Sequence, residues 1–127
     1  MSLAPLILVV DDDPDVCALL QRSLSAEGYE VETVLDGYLA LAFCTKRVPA
    51  LVLLDLMMPQ MDGEHFAVAL RAQLREATPP IVLVSASQIR DQVASSVGAA
   101  GMIEKPFDLE ELHETVAQLC GPARRAE

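Results

Sequence analysis

Asp11, Asp12 and Asp55 stand at the ends of two apolar runs. Asp11 and Asp12 follow Leu6-Ile7-Leu8-Val9-Val10, and Asp55 follows Leu51-Val52-Leu53-Leu54. Two buried-type strands that both end in acid form one acidic pocket. Such a pocket attracts a divalent cation and repels a bare phosphate. Mg²⁺ takes about six oxygens and keeps several waters, so one or two carboxylates and a phosphate oxygen complete its shell. Asp11 and Asp12 are the candidates to hold the ion, directly or through water. Asp55 is then the candidate nucleophile, taking a phosphoryl group as an acyl phosphate. The cation offsets the repulsion between an anionic nucleophile and an anionic donor. Ser85 closes the run Ile81-Val82-Leu83-Val84, and Lys105 follows Gly101–Glu104. A hydroxyl and an ammonium facing the same crevice are suited to phosphoryl oxygens.

The elements that must position these residues are legible in the patterning. Five strand-like runs alternate with helical stripes. The first, third and fourth runs (6–10, 51–54 and 81–84) are wholly apolar, as strands covered on both faces are. The second, Glu30-Val31-Glu32-Thr33-Val34, alternates and so belongs at a sheet edge. The fifth, 101–104, is short and belongs at the other edge. Helices are predicted from Pro14 to Gly28 behind an Asp13 cap, over 37–46, around the stripe Phe66, Ala67, Leu70 and Leu74, weakly over 88–97, and after Asp108 with Leu109, Leu112, Val116 and Leu119 inward. Glu111 stands at the capping-box position of the last of these. Strands alternating with helices imply right-handed crossovers and a parallel α/β sheet, and the order 2-1-3-4-5 puts the apolar runs in the middle. Ligands in such sheets bind beyond the strand ends where the order reverses, here between the first and third strands. Those are the strands that end in Asp11-Asp12 and Asp55.

Composition narrows the function classes. With 127 residues, 52% of them hydrophobic, the chain fits one domain with a mostly aliphatic core. The core spans about 5–120; Met1-Ser2-Leu3 reads as appended residues and 121–127 as a tail or linker. A net charge of −10, with basic residues scattered, argues against direct nucleic-acid binding. Cys17, Cys44 and Cys120 are odd in number and far apart, which fits buried free thiols in a cytoplasmic protein better than a disulfide framework or a zinc site. No apolar stretch approaches the ~20 residues of a membrane helix.

Four short segments, each at a strand end and in this order, resemble the receiver domain of two-component response regulators. They are Ile7-Leu8-Val9-Val10-Asp11-Asp12-Asp13, Asp55-Leu56-Met57-Met58-Pro59 with Met61-Asp62-Gly63, Val84-Ser85-Ala86, and Lys105-Pro106-Phe107. The resemblance implies a CheY-like, flavodoxin-like doubly wound (βα)5 domain. It implies Asp55 as phosphoacceptor, Asp12 as direct Mg²⁺ (or Mn²⁺) ligand, Asp11 as water-mediated ligand, and Met57 as a ligand through its carbonyl. Ser85 and the amide of Ala86 would contact the phosphoryl group and Lys105 would pair with it. It further implies a cis bond before Pro106, a sensor histidine kinase or histidine phosphotransfer protein as donor, a downstream effector protein, and a possible homodimer. Such a domain catalyses its own phosphorylation and dephosphorylation without being a conventional enzyme. Two features depart from the family. Met102 stands where receivers carry an aromatic residue that follows the Ser85 hydroxyl during switching, and the spacing from Ser85 to Lys105 is about two residues short.

Single residues also have plainer readings. Asp13 reads as a helix cap, Glu110, Glu111 and Glu114 as a solvated helix face, and the methionines at 57, 58 and 61 as loop packing. His65 and His113 read as surface or boundary residues with no acidic partner. Two other functions compete. A haloacid-dehalogenase-type phosphohydrolase also opens with an apolar strand and Asp-x-Asp, but needs a longer chain and a nucleophile on the first strand. A receiver-like docking module keeps the fold without phosphorylation.

Overall fold

The computed structural model describes residues 4–56, 58, 61–85 and 98–121, with only the main chain of Ser85. Five strands form one parallel sheet: β1 (Leu6–Val10), β2 (Glu30–Val34), β3 (Leu51–Asp55), β4 (Ile81–Ser85) and β5 (Gly101–Glu104). Their order is β2-β1-β3-β4-β5, as the apolar patterning required. The described helices are α1 (Pro14–Ala26), α2 (Gly37–Cys44), α3 (Gly63–Leu74) and α4 (Leu109–Cys120). The helix predicted over 88–97 lies outside the described residues.

Period-two alternation sends the strand residues to two cores. Ile7, Val9, Leu51, Leu53, Val82, Val84 and Ile103 face α1 and α4, where Cys17, Leu20, Leu24, Leu112 and Val116 meet them. Leu8, Val10, Val52, Leu54, Ile81 and Leu83 face α2 and α3, against Ala40, Cys44, Phe66, Ala67 and Leu70. Each fully buried aliphatic side chain contributes about 1.5–3 kcal/mol relative to exposure, so the central strands are the most firmly held part of the sheet. Register places Val10 beside both Val34 and Leu54, and Asp55 beside Val84. The carboxyl ends of β1 and β3 therefore lie level.

Most boundaries follow their local chemistry. Gly28 adopts a φ of 100° and lets its amide and that of Tyr29 close on the Ser25 and Leu24 carbonyls, which stops α1. β3 and β4 each run one residue further than their apolar runs, because Asp55 and Ser85 still pair across the sheet with Val84 and Glu104. α2 ends at Cys44, two residues earlier than predicted. There the Thr45 hydroxyl turns back to the Ala42 carbonyl, and the Lys46 and Arg47 amides converge on that of Phe43. α3 ends at Leu74, where Arg75 takes a φ of 52° and a short 3-10 turn covers Arg75–Ala77.

Candidate functional site

Three carboxylates meet at the switch point of the sheet. Asp11 follows β1, Asp12 is the next residue, and Asp55 is the last residue of β3; one oxygen of each lies within 4.8 Å of the others. Their environments differ. Asp11 and Asp55 are buried, at 2% and 6% exposure, whereas Asp12 is exposed to solvent. Taking carboxylates out of water is costly unless they gain partners. Asp11 has them: its Oδ1 accepts the Asp13 amide at 2.9 Å, and its Oδ2 accepts Lys105 Nζ at 2.8 Å.

Lys105 arrives from the end of β5. Burial acts to lower its pKa, but the hydrogen bond and charge of Asp11, with Asp55 and Asp13 behind them, outweigh burial and hold it above the usual lysine value. The ammonium is thus fixed as a cation among anions. The bond between Lys105 and Pro106 is cis, in agreement with the resemblance. Asp13 is a helix cap, accepting the Asp15 amide at 2.9 Å. Asp62 caps α3, and the Gly63 amide donates to the Leu56 carbonyl at 2.9 Å, tying the start of α3 to the residue after β3. A Cβ at position 63 would stand 3.0 Å from Leu56 Cα and 3.3 Å from the Asp55 carbonyl oxygen, so any larger residue would press on the backbone that leads out of β3. Ser85 ends β4 beside Glu104. Met57 and Ala86 lie outside the described residues.

A scan of protein families matches residues 7–117 to the response regulator receiver domain. The chain belongs to that family. This receiver domain is 43% identical over 117 residues to the transcriptional regulatory protein PrrA of Mycobacterium tuberculosis, covering 91% of this chain and 50% of that protein. It therefore spans about half the length of the curated relatives it matches. Among solved structures, the Vibrio cholerae chemotaxis protein CheY4 superposes with a TM-score of 0.85 at 33% identity, covering 91% of this chain and 98% of that one. TrrA of Thermotoga maritima, solved in complex with Mg²⁺-BeF, gives 0.81 at 35% identity, with 91% and 98% covered. Receiver domains bind Mg²⁺ at their acidic site, and the donor set here fits a hard cation: oxygen ligands only, close enough for one ion to reach directly or through water.

Lys105, which the resemblance pairs with a phosphoryl group, has its ammonium on Asp11. Patterning left other parts of the receiver unread. Neither histidine is without an acidic partner. His65 Nδ1 lies 2.8 Å from Asp62 Oδ1, one helical turn away, a spacing that could have been read from the cap. His113 on α4 meets Ser23 Oγ of α1 at 2.7 Å and Glu27 Oε1 at 3.5 Å, contacts that only the packed fold brings together. Met102 is 39% exposed and lines an open cleft of ≈ 400 Å³ with Glu104, Pro106, Asp108 and Glu111. Its side chain stands at the surface, where the resemblance places a switching ring.

Proposed function

We propose that Asp55 accepts a phosphoryl group from a phosphohistidine of a sensor kinase or a histidine phosphotransfer protein. One carboxylate oxygen of Asp55 forms a bond to phosphorus as the phosphorus–nitrogen bond of the donor breaks. The electron pair of that bond returns to the imidazole nitrogen, which takes up a proton. Asp11, Asp12, Asp55 and the Met57 carbonyl would hold Mg²⁺ or Mn²⁺, with Asp12 as the direct ligand and Asp11 acting through water. When bound, the ion supplies the positive charge that lets two anions approach. Lys105, the Ser85 hydroxyl and the Ala86 amide take the phosphoryl oxygens. Lys105 exchanges its Asp11 partner for the new charge, which is the change that biases the fold toward a signalling state.

The observation that carries this reading is the meeting of three carboxylates within 4.8 Å with a lysine held 2.8 Å from the most buried of them. With a net charge of −10, the domain itself repels a phosphate backbone, so its direct partners are proteins: the phosphoryl donor and a downstream effector.

The test is intact-protein mass after incubation with acetyl phosphate and Mg²⁺. We expect one phosphoryl group on the wild type, none with chelator present, and none on Asp55→Asn. An Asp55→Asn protein that is still modified would remove Asp55 from the role. An unmodified wild type that nonetheless binds Mg²⁺ would favour a docking module with the receiver fold.

A further inference from the structure

Asp11 engages every polar atom it has. Its amide donates to the Val34 carbonyl at 3.2 Å, its Oδ1 accepts the Asp13 amide, and its Oδ2 accepts Lys105. Its carbonyl accepts the thiol of Cys17 at 3.4 Å. That carbonyl belongs to the peptide joining Asp11 to Asp12, so whatever holds it sets the direction in which Asp12 leaves the strand. Cys17 is 4% exposed, in the first turns of α1, and its own amide donates to the Asp13 carbonyl at 3.1 Å. One residue therefore grips the acidic loop at both ends, through its amide on Asp13 and its thiol on Asp11.

We propose that Cys17 is a positioning residue for the acidic pocket. Its thiol closes over the Asp11 carbonyl and fixes the Asp11–Asp12 peptide, and thereby aims the exposed Asp12 carboxylate at a divalent cation. The proposal rests on the metal reading given above and extends it to a residue that touches no ligand. An aliphatic side chain at 17 fills the same space but leaves the carbonyl without this donor. A buried acceptor stripped of its donor loses more than the modest net value of the bond itself. Serine keeps a donor on the same Cβ, with a slightly shorter reach.

The experiment titrates Mn²⁺ into the whole protein, following free Mn²⁺ by paramagnetic resonance. The proteins are wild type, Cys17→Val, Cys17→Ala, Cys17→Ser and Cys44→Val. Cys44 is the control, equally buried at 2% exposure but in the core on the opposite face of the sheet. The dissociation constant is expected to rise about 3- to 10-fold in the valine and alanine variants, and to stay within about twofold of wild type for Cys17→Ser and Cys44→Val. In metal-free protein, the Asp13 amide should exchange its hydrogen faster in Cys17→Val and Cys17→Ala and at the wild-type rate in the other two. Valine and alanine variants that match wild type in both measurements overturn the proposal. Serine behaving like alanine also overturns it, because packing and not the donated bond would then set the affinity. A wild type that takes up no Mn²⁺ overturns the metal reading, and the exchange rates then decide by themselves whether Cys17 fixes the loop.

Discussion

Asp11 and Asp12 are neighbours in sequence with opposite surroundings. Asp11 is buried and fully bonded, whereas Asp12 is open to water. The two should respond differently to substitution. Asp12→Asn removes a charge from a crowded acidic site and breaks no described bond, so stability should stay within about 0.5 kcal/mol of wild type. Metal affinity should fall about 10- to 100-fold, as loss of a ligating or orienting group usually does. Chemical denaturation beside a Mn²⁺ titration checks both halves. Lys105→Met acts in the reverse sense: it strands Asp11 among two other carboxylates. We expect a loss of about 1–3 kcal/mol in urea unfolding without metal, part of it recovered by added Mg²⁺. The carboxylates and the lysine were readable because acid at the end of an apolar strand has few structural uses. Cys17 was not, since a cysteine on the inward stripe of a helix looks like any small apolar residue until its thiol is seen to meet a carbonyl.

At the scale of elements, all four described helices begin at an aspartate whose side chain accepts backbone amides: Asp13, Asp36, Asp62 and Asp108. Each follows a strand or the loop after one, so the caps that start the helices also shape the crevice. Asp108 takes two amides, those of Glu110 and Glu111, at 2.9 and 3.3 Å. Asp108→Ala should lower stability by about 1–2 kcal/mol in thermal or urea unfolding. A change below a few tenths would mean that packing of Leu112 and Val116 alone holds α4. The starts of these helices were legible because cap chemistry is local. Their ends were less so. Nothing in the type of Arg75 announces a φ of 52°, and the early stop of α2 depends on a hydroxyl choosing a carbonyl. The pairing of His65 with its cap Asp62 is of the same local kind, while the contact of His113 with Ser23 spans two helices and needs the fold.

The whole molecule holds three thiols that burial pushes above their usual pKa, with Cys17 at about 11 against 9.0. At Cys17 the charges of Asp11 and Asp13 add to the effect of burial. A group whose pKa is raised on folding binds its proton more tightly in the native state. The stability this gives is complete below about pH 9 and is lost as the pH rises through the folded value. Melting temperature should therefore decline between about pH 9 and 11, and Cys44→Val should show a shallower decline. A flat profile across that interval would show that the thiols do not set the alkaline limit. Strand order was recoverable from sequence because three wholly apolar runs cannot lie at an edge. The side on which Met102 stands was not, since a four-residue edge strand gives the pattern little to fix.

That edge strand has a consequence for motion. Two walls of the acidic pocket, Asp11 and Asp55, are ends of strands with every residue buried, clamped between helices on both faces. The third wall, Lys105, hangs from β5, in which Ile103 alone is buried and Met102 and Glu104 are exposed. Any travel of the ammonium from one anion to another can occur by shifting the lightly anchored wall while the other two stand still. The ammonium thus hangs from the most lightly anchored wall of the pocket, and a displacement of that wall would carry the surface around Met102 with it.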